Sequence, residues 1–203
     1  PVLKSFSTDF SFESANNALQ IYGGHGYIKE HGIEQFVRDS RITAIYEGTN
    51  GIQAIDLVNR KMKIDNGRLI NNFLSFVKKY INVTDSNLKL KSFLILFKES
   101  LSDLEEATNY ILKCNKDEED EILGIAVEYL KLLSLVSVGY VWLRFMDISF
   151  NNDDNSSFYK SKIATGRFYF SQILSETKFL KLKILSGSKL YNEYNDNYFD
   201  LGI

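Results

Sequence analysis

Gln20-Ile21-Tyr22-Gly23-Gly24-His25-Gly26-Tyr27, then Arg38-Asp39-Ser40-Arg41, then Ile45-Tyr46-Glu47-Gly48-Thr49-Asn50-Gly51 is the part of this sequence that decides its reading. Before it, from Ser11 to Ile21, Phe12, Ala15, Leu19 and Tyr22 recur at three- and four-residue steps, the period of a helix with one apolar face. The glycines of Gly23-Gly24-His25-Gly26 end that helix, because glycine accepts backbone angles that other residues resist. A second helix starts near Gly32, carries Ile33, Phe36 and Val37, and runs toward Arg41. Residues Tyr46 to Asn50 form a turn. Thr49 or Asn50 then caps a third helix carrying Ile52, Ile55, Leu57 and Val58, with Lys61-Met62-Lys63 in its last turn, where cations suit the helix dipole.

Asp65-Asn66-Gly67 is the next break, and it divides the chain into 1–65 and 66–203. Beyond it the spacing predicts four helices. Leu69, Ile70, Phe73, Phe76, Val77 and Tyr80 mark the first. Leu90, Leu94, Phe97, Leu101, Leu104 and Ile111, in near-heptad spacing, mark the second. The third spans Glu118 to about Phe150, with Ile122, Ile125, Val127, Leu130, Leu133, Val136, Val141 and Leu143 on a broad apolar face. The acidic run Asp117 to Glu121 lies at its N-terminus. A polar loop, Asn151 to Ser157, leads to the fourth, from Phe158 to about Ile184, ending near Gly187. The tail from Tyr191 reads as irregular. The only proline is Pro1, so no later helix is interrupted by a missing backbone donor. Helices joined by short polar loops, with no strand or hairpin signal, give an all-α helical bundle.

Composition narrows the function. The 203 residues are 44% hydrophobic and 25% charged with a formal net charge of -2, which gives no bulk attraction to nucleic acid. One cysteine, Cys114, excludes an internal disulfide and suits a cytoplasmic setting; it reads as a buried or boundary thiol. No apolar run of membrane-spanning length and no signal peptide are expected. His25 and His31, the two histidines, lack metal-ligand spacing, so no metal is expected; His25 reads as a loop contact and His31 as a surface residue. A single Gly-Gly-x-Gly that does not follow a strand fails as a dinucleotide fingerprint. Arg38-Asp39 reads as a local ion pair or a helix-packing contact, and Trp142 with the spaced Phe and Tyr residues as core. Glu47 is an isolated acid between Ile45-Tyr46 and Gly48, a carboxylate for a pocket at a helix start and a candidate general base.

The three quoted segments, in their order and spacing, closely resemble the C-terminal domain of the acyl-CoA dehydrogenases. Lys29 to Gln35 and Gly48 to Gln53 look most like the methylmercaptopropionyl-CoA dehydrogenase-like branch, which has an added C-terminal helical domain. Residues from about Arg68, above all Lys162 to Phe170, resemble that added domain. The resemblance implies FAD-dependent oxidation of an acyl-CoA thioester to a 2-enoyl-CoA, with electron-transfer flavoprotein as acceptor and a homodimer or higher homo-oligomer. It implies that the chain is the C-terminal part of a longer enzyme and is inactive alone. It makes Glu47 the base and Gly48 a substrate contact. Thr49, Asn50 and Gly51 become flavin contacts at a helix start. Gln20, Ile21, Tyr22, Gly23 and Gly24 become the segment that reaches the flavin of a neighbouring subunit. The glutamine common in relatives at Gly51 is missing here, and the role that some relatives give a residue near Arg60 does not transfer, because the register differs by one. The other reading is a catalytically silent helical assembly module on the same fold.

Overall fold

Left-handed residues and polar turns cut the chain into its helices. The computed structural model describes residues 1–114, 119–152, 156–193 and 198, and no strand occurs among them. Helix α1 (Val2–Tyr22) reaches back to Val2, well before the predicted Ser11, because Val2 and Phe6 pack against the core a helical turn apart. It stops where Gly23 takes φ 60°. One further turn, α2 (Gly24–Tyr27), and a 3-10 turn (Lys29–His31) lead to Gly32, whose φ of 69° turns the chain into α3 (Ile33–Thr43). α1 packs on α3.

Helix α4 (Asn50–Ile55) begins as predicted: Thr49 Oγ1 accepts the Ile52 N–H at 3.2 Å. It runs on into a π-helical stretch, Asp56–Lys61, that buries Leu57 and Val58. Asp65, Asn66 and Gly67 then all adopt left-handed angles, φ 50°, 55° and 83°, and the helix ends there. In α5 (Arg68–Thr84) the buried face is Ile70, Leu74, Val77 and Ile81. Leu69 and Phe76, predicted to face inward, are 51% and 56% exposed, because the true stripe follows the 70–74–77–81 spacing and they sit on its flanks. Helix α6 (Lys91–Lys113), with Leu90 as its cap, buries every residue predicted for it.

The single helix predicted from Glu118 to Phe150 is two, α7 (Glu119–Gly124) and α8 (Ala126–Phe150). The break at Ile125 follows Gly124, where a side chain would meet Ser188 Cβ at 2.3 Å. Asp117 and Glu118 of the predicted acidic N-terminus lie outside the described residues. Val127 and Val141 face solvent. By length and composition α8 could cross a membrane, which corrects the expectation that no segment reaches that size. However, 61% of its most apolar stretch is buried inside the bundle, the mark of a core helix, and α6, α9, α10, α4 and α1 all pack on it.

Of the polar loop, 153–155 lie outside the described residues. The last predicted helix is present as α9 (Ser157–Phe168), a π-helical stretch (Tyr169–Ile173) and α10 (Glu176–Ser186). The π stretch points Tyr169 and Phe170 inward, and the Tyr169 hydroxyl donates to the Leu135 carbonyl at 2.7 Å. Gly187 (φ 71°) ends α10. Lys189–Glu193 forms a 3-10 turn where irregular chain was expected; the rest of the tail, Tyr198 apart, lies outside the described residues. One hydrophobic core runs from Ala54 to Ile184.

Candidate active site

The turn between α3 and α4 is closed by its own backbone. The N–H groups of Ile45 and Tyr46 donate to the Ile42 carbonyl at 3.0 and 3.2 Å, and that of Asn50 donates to Ala44 at 3.2 Å. At its tip Glu47 has φ 56° and Gly48 φ 80°. A glycine is at ease there; a glutamate is not, and non-glycine residues in this region cluster at functional sites.

Three side chains tie the turn down. Gln53 Nε2 donates to the Glu47 carbonyl at 3.2 Å. Lys4 Nζ, from the first turn of α1, donates to the Gly48 carbonyl at 2.9 Å and to Asn50 Oδ1 at 2.7 Å. Asn50 Nδ2 in turn donates to Asp9 Oδ1 at 2.6 Å and Thr8 Oγ1 at 2.9 Å. The Asn50 amide thus faces α1, and the Thr49 hydroxyl is engaged in its cap. Gly51 keeps an open approach: a Cβ there would meet only Thr49 Oγ1, at 3.8 Å. Beside the turn lies a cavity of about 410 Å³, whose walls include Phe12, Arg41, Ile45, Thr49 and Gly51.

The Glu47 side chain is exposed. The sheltered position that the sequence suggested is not supplied by this chain's own residues. Ile45 and Tyr46 beside it are exposed as well, so the turn presents an apolar rim around one carboxylate.

Gln20, Ile21, Tyr22, Gly23 and Gly24 lie at the other end of α1 from Lys4. Sixteen residues of helix at about 1.5 Å each separate Lys4 from Gln20, about 24 Å. The structure therefore does not bring this segment to the Glu47 turn. It is open: Ile21 is 85% exposed, and a Cβ on Gly23 or Gly24 would meet nothing within 4 Å.

His25 and His31, read separately from sequence, form a pair, Nδ1 to Nε2 at 3.2 Å with edge-on rings. Arg38 does not pair with Asp39. It bonds Glu34 at 3.1 Å, one turn back, while Asp39 accepts from Gln35 at 2.7 Å; neighbours in sequence point to different sides of a helix. Arg60 is paired with Asp56 at 2.5 Å, Cys114 is partly buried, and Trp142 packs between Phe145 and Tyr169. No group of three or more His, Cys, Asp or Glu that could hold a metal occurs among the described residues. The Lys4–Asn50 link was missed from sequence: its partners lie 46 residues apart, and Lys4 precedes any recognised helix.

Residues 70–194 match the family described as acetyl-CoA dehydrogenase C-terminal like, and residues 1–62 match acyl-CoA dehydrogenase, C-terminal domain. The chain is similar to the broad-specificity linear acyl-CoA dehydrogenase FadE5 of Mycobacterium tuberculosis, at 26% identity over 193 residues, 88% of this chain and 32% of that protein. It is similar to the 3-methylmercaptopropionyl-CoA dehydrogenase of Ruegeria pomeroyi, at 28% identity over 180 residues, 87% of this chain and 31% of that protein. A crystal structure of an acyl-CoA dehydrogenase complexed with FAD from Bacillus anthracis has the same fold over 96% of this chain and 33% of its own, with a TM-score of 0.69 at 19% identity. The chain spans about a third of the length of these curated relatives.

Proposed function

The chain belongs to the acyl-CoA dehydrogenase family, and on that premise we propose that it is the C-terminal part of an enzyme that oxidises an acyl-CoA thioester to the 2-enoyl-CoA. One observation carries the reading: Glu47 keeps a left-handed backbone on a turn held from both sides, although its exposed carboxylate gains nothing structural from being there. Strain of that kind is retained where a side chain must be aimed.

Glu47 takes the proton from the carbon next to the thioester carbonyl. Gly48 leaves room for the thioester to approach the backbone. Bound FAD would supply the acceptor for the hydride that leaves the next carbon. The residues present fit one edge of such a group. Thr49 and Gly51 offer backbone N–H groups at the start of α4 beside the open Gly51 approach and the 410 Å³ cavity, and Asn50, whose own N–H is held by Ala44, braces them against α1. Gln20, Ile21, Tyr22, Gly23 and Gly24, about 24 Å away along α1, offer an uncovered apolar and glycine surface to the flavin of a second protomer. That separation supports a homo-oligomer in which each site draws on two copies. Water is kept from Glu47 by surfaces outside these 203 residues, so the chain alone is inactive. Electron-transfer flavoprotein is the proposed acceptor, the cytoplasm the proposed setting, and 1–65 and 66–203 the proposed domains.

The test joins this chain to the N-terminal portion of a relative and compares Glu47 with Glu47→Gln. Turnover should fall about 10²–10⁴-fold, the range for losing a positioned base, with flavin content unchanged. Undiminished turnover in Glu47→Gln would remove this residue from the reaction. A well-folded hybrid that takes up no flavin would favour the silent assembly module.

A further inference from the structure

Behind the Glu47 turn, where α1 and α4 meet α8, the fold encloses a second cavity of about 230 Å³. We propose that this cavity binds a small primary amine with a hydroxyl at its far end, an amino alcohol of about six carbons. The proposal does not depend on the chemistry assigned to Glu47.

The body of the cavity is apolar, walled by Phe6, Phe10, Leu130 and Ile173. Its size lies just below the range of sites for drug-sized ligands, so the occupant is small. Ser5 lines the cavity too, 1% exposed and with no hydrogen-bond partner for its Oγ among the described residues. Buried hydroxyls are rarely left unpaired, because each forfeits the hydrogen bonds it made in water. A hydroxyl on the occupant satisfies this one.

The charged part of the lining is mostly anionic. Glu13 supplies an exposed carboxylate that has no partner among the described residues. Asp9 lies between Ser5 and Glu13 along α1 and accepts from Asn50, its one partner among the described residues. The one ammonium in the lining, Lys131, is taken by Glu176 at 2.6 Å. With Lys131 and Glu176 neutralising each other, Asp9 and Glu13 remain as two carboxylates in the lining, which favours a cationic occupant and disfavours an anionic one. Ser5 and Glu13 share a face of α1 eight residues apart, about 12 Å by the helix rise, and the longer glutamate side chain can lean back along that distance. A six-carbon chain with a hydroxyl at one end and an ammonium at the other matches this layout. Asp9, Asn50 and Gly51 line both cavities, so an occupant touches the rear of the candidate catalytic turn.

The experiment titrates 6-amino-1-hexanol into the 203-residue chain by calorimetry and ligand-observed NMR, with hexylamine and hexanoate in parallel. The amino alcohol should bind saturably at one site, hexylamine about tenfold more weakly, and hexanoate not at all. Ser5→Ala should erase the difference between the two amines, and Glu13→Gln should weaken both about tenfold. The hexylamine comparison probes the Ser5 contact without any mutation. Absence of saturable binding, meaning a cavity that holds water alone, would overturn the proposal. So would hexanoate binding as well as the amines, or an affinity unaltered by either substitution.

Discussion

Replacing Glu47 by glycine should make this protein more stable. At φ 56° a residue with a Cβ is strained by about 1–2 kcal/mol relative to glycine. Glycine gives back about 0.5–1 kcal/mol of that gain through its greater freedom in the unfolded chain. The Glu47 side chain is exposed and its carboxylate has no partner among the described residues, so removing it costs nothing further. The Gln53 bond goes to the Glu47 carbonyl and survives the change. The net gain is about 0.5–1 kcal/mol, or about 2 °C in Tm for a domain of this size. Urea titration and calorimetry of wild type, Glu47→Gly and Glu47→Gln measure it. The glutamine variant keeps the Cβ and the strain and should stay within about 0.5 kcal/mol of wild type. If Glu47→Gly proves no more stable than Glu47→Gln, the backbone at this tip is not under strain, and the chief support for Glu47 as a positioned base is gone.

Asp103, 6% exposed, accepts from Thr177 and pairs with Lys181 at 2.7 Å. Asp103→Ala removes the nearer of the two carboxylates on Lys181, leaving Glu106 at 3.3 Å, and takes the partner of Thr177 with it; it should cost about 1–2 kcal/mol in urea denaturation, and a cost near zero would mean that Glu106 and water replace the lost carboxylate. Alkali should unfold the protein from about pH 10 upward. Burial holds the phenols of Tyr80, Tyr129 and Tyr169 above their ordinary value, with the negative charge of Asp147 adding at Tyr80. Unfolded tyrosines lose protons near pH 10 while these keep theirs, so their stabilising share is whole below that pH and declines above it. The hydrogen bond that Lys181 donates to Asp103 holds the ammonium above the ordinary lysine value too, so its share is also full at neutral pH and goes only in alkali. Tyrosinate absorbance should show these phenols ionising together with loss of helix; free titration of all 12 tyrosines before any loss of helix would contradict it.

Local patterns were readable from the sequence, and long-range contacts were not. The α6 stripe from Leu90 to Ile111 and the Thr49 cap are set by residues a turn or two apart, and both stand as the spacing predicts. The α5 face was misjudged because aromatic and aliphatic residues occur around much of that helix, so Leu74 and Ile81 do not stand out from Leu69 and Phe76. The break between α7 and α8 depends on Ser188 lying against Gly124, and the π stretch at Tyr169 on a carbonyl of α8; neither partner is close in sequence. In the candidate site, glycine announced the turn at Gly48 but nothing announced the left-handed angle of Glu47. Its lack of cover within this chain could not be read from residue types, since Ile45 and Tyr46 look the same in sequence whether covered or bare.

The left-handed run at Asp65, Asn66 and Gly67 is flanked by Lys63 and Arg68, so trypsin has a place to cut there. Yet Leu57, Val58 and Met62 on one side share their core with Ile70 and Leu133 on the other. A nick at this spot should therefore yield two peptides that stay clasped through gel filtration, part only in denaturant, and melt as a pair in one step.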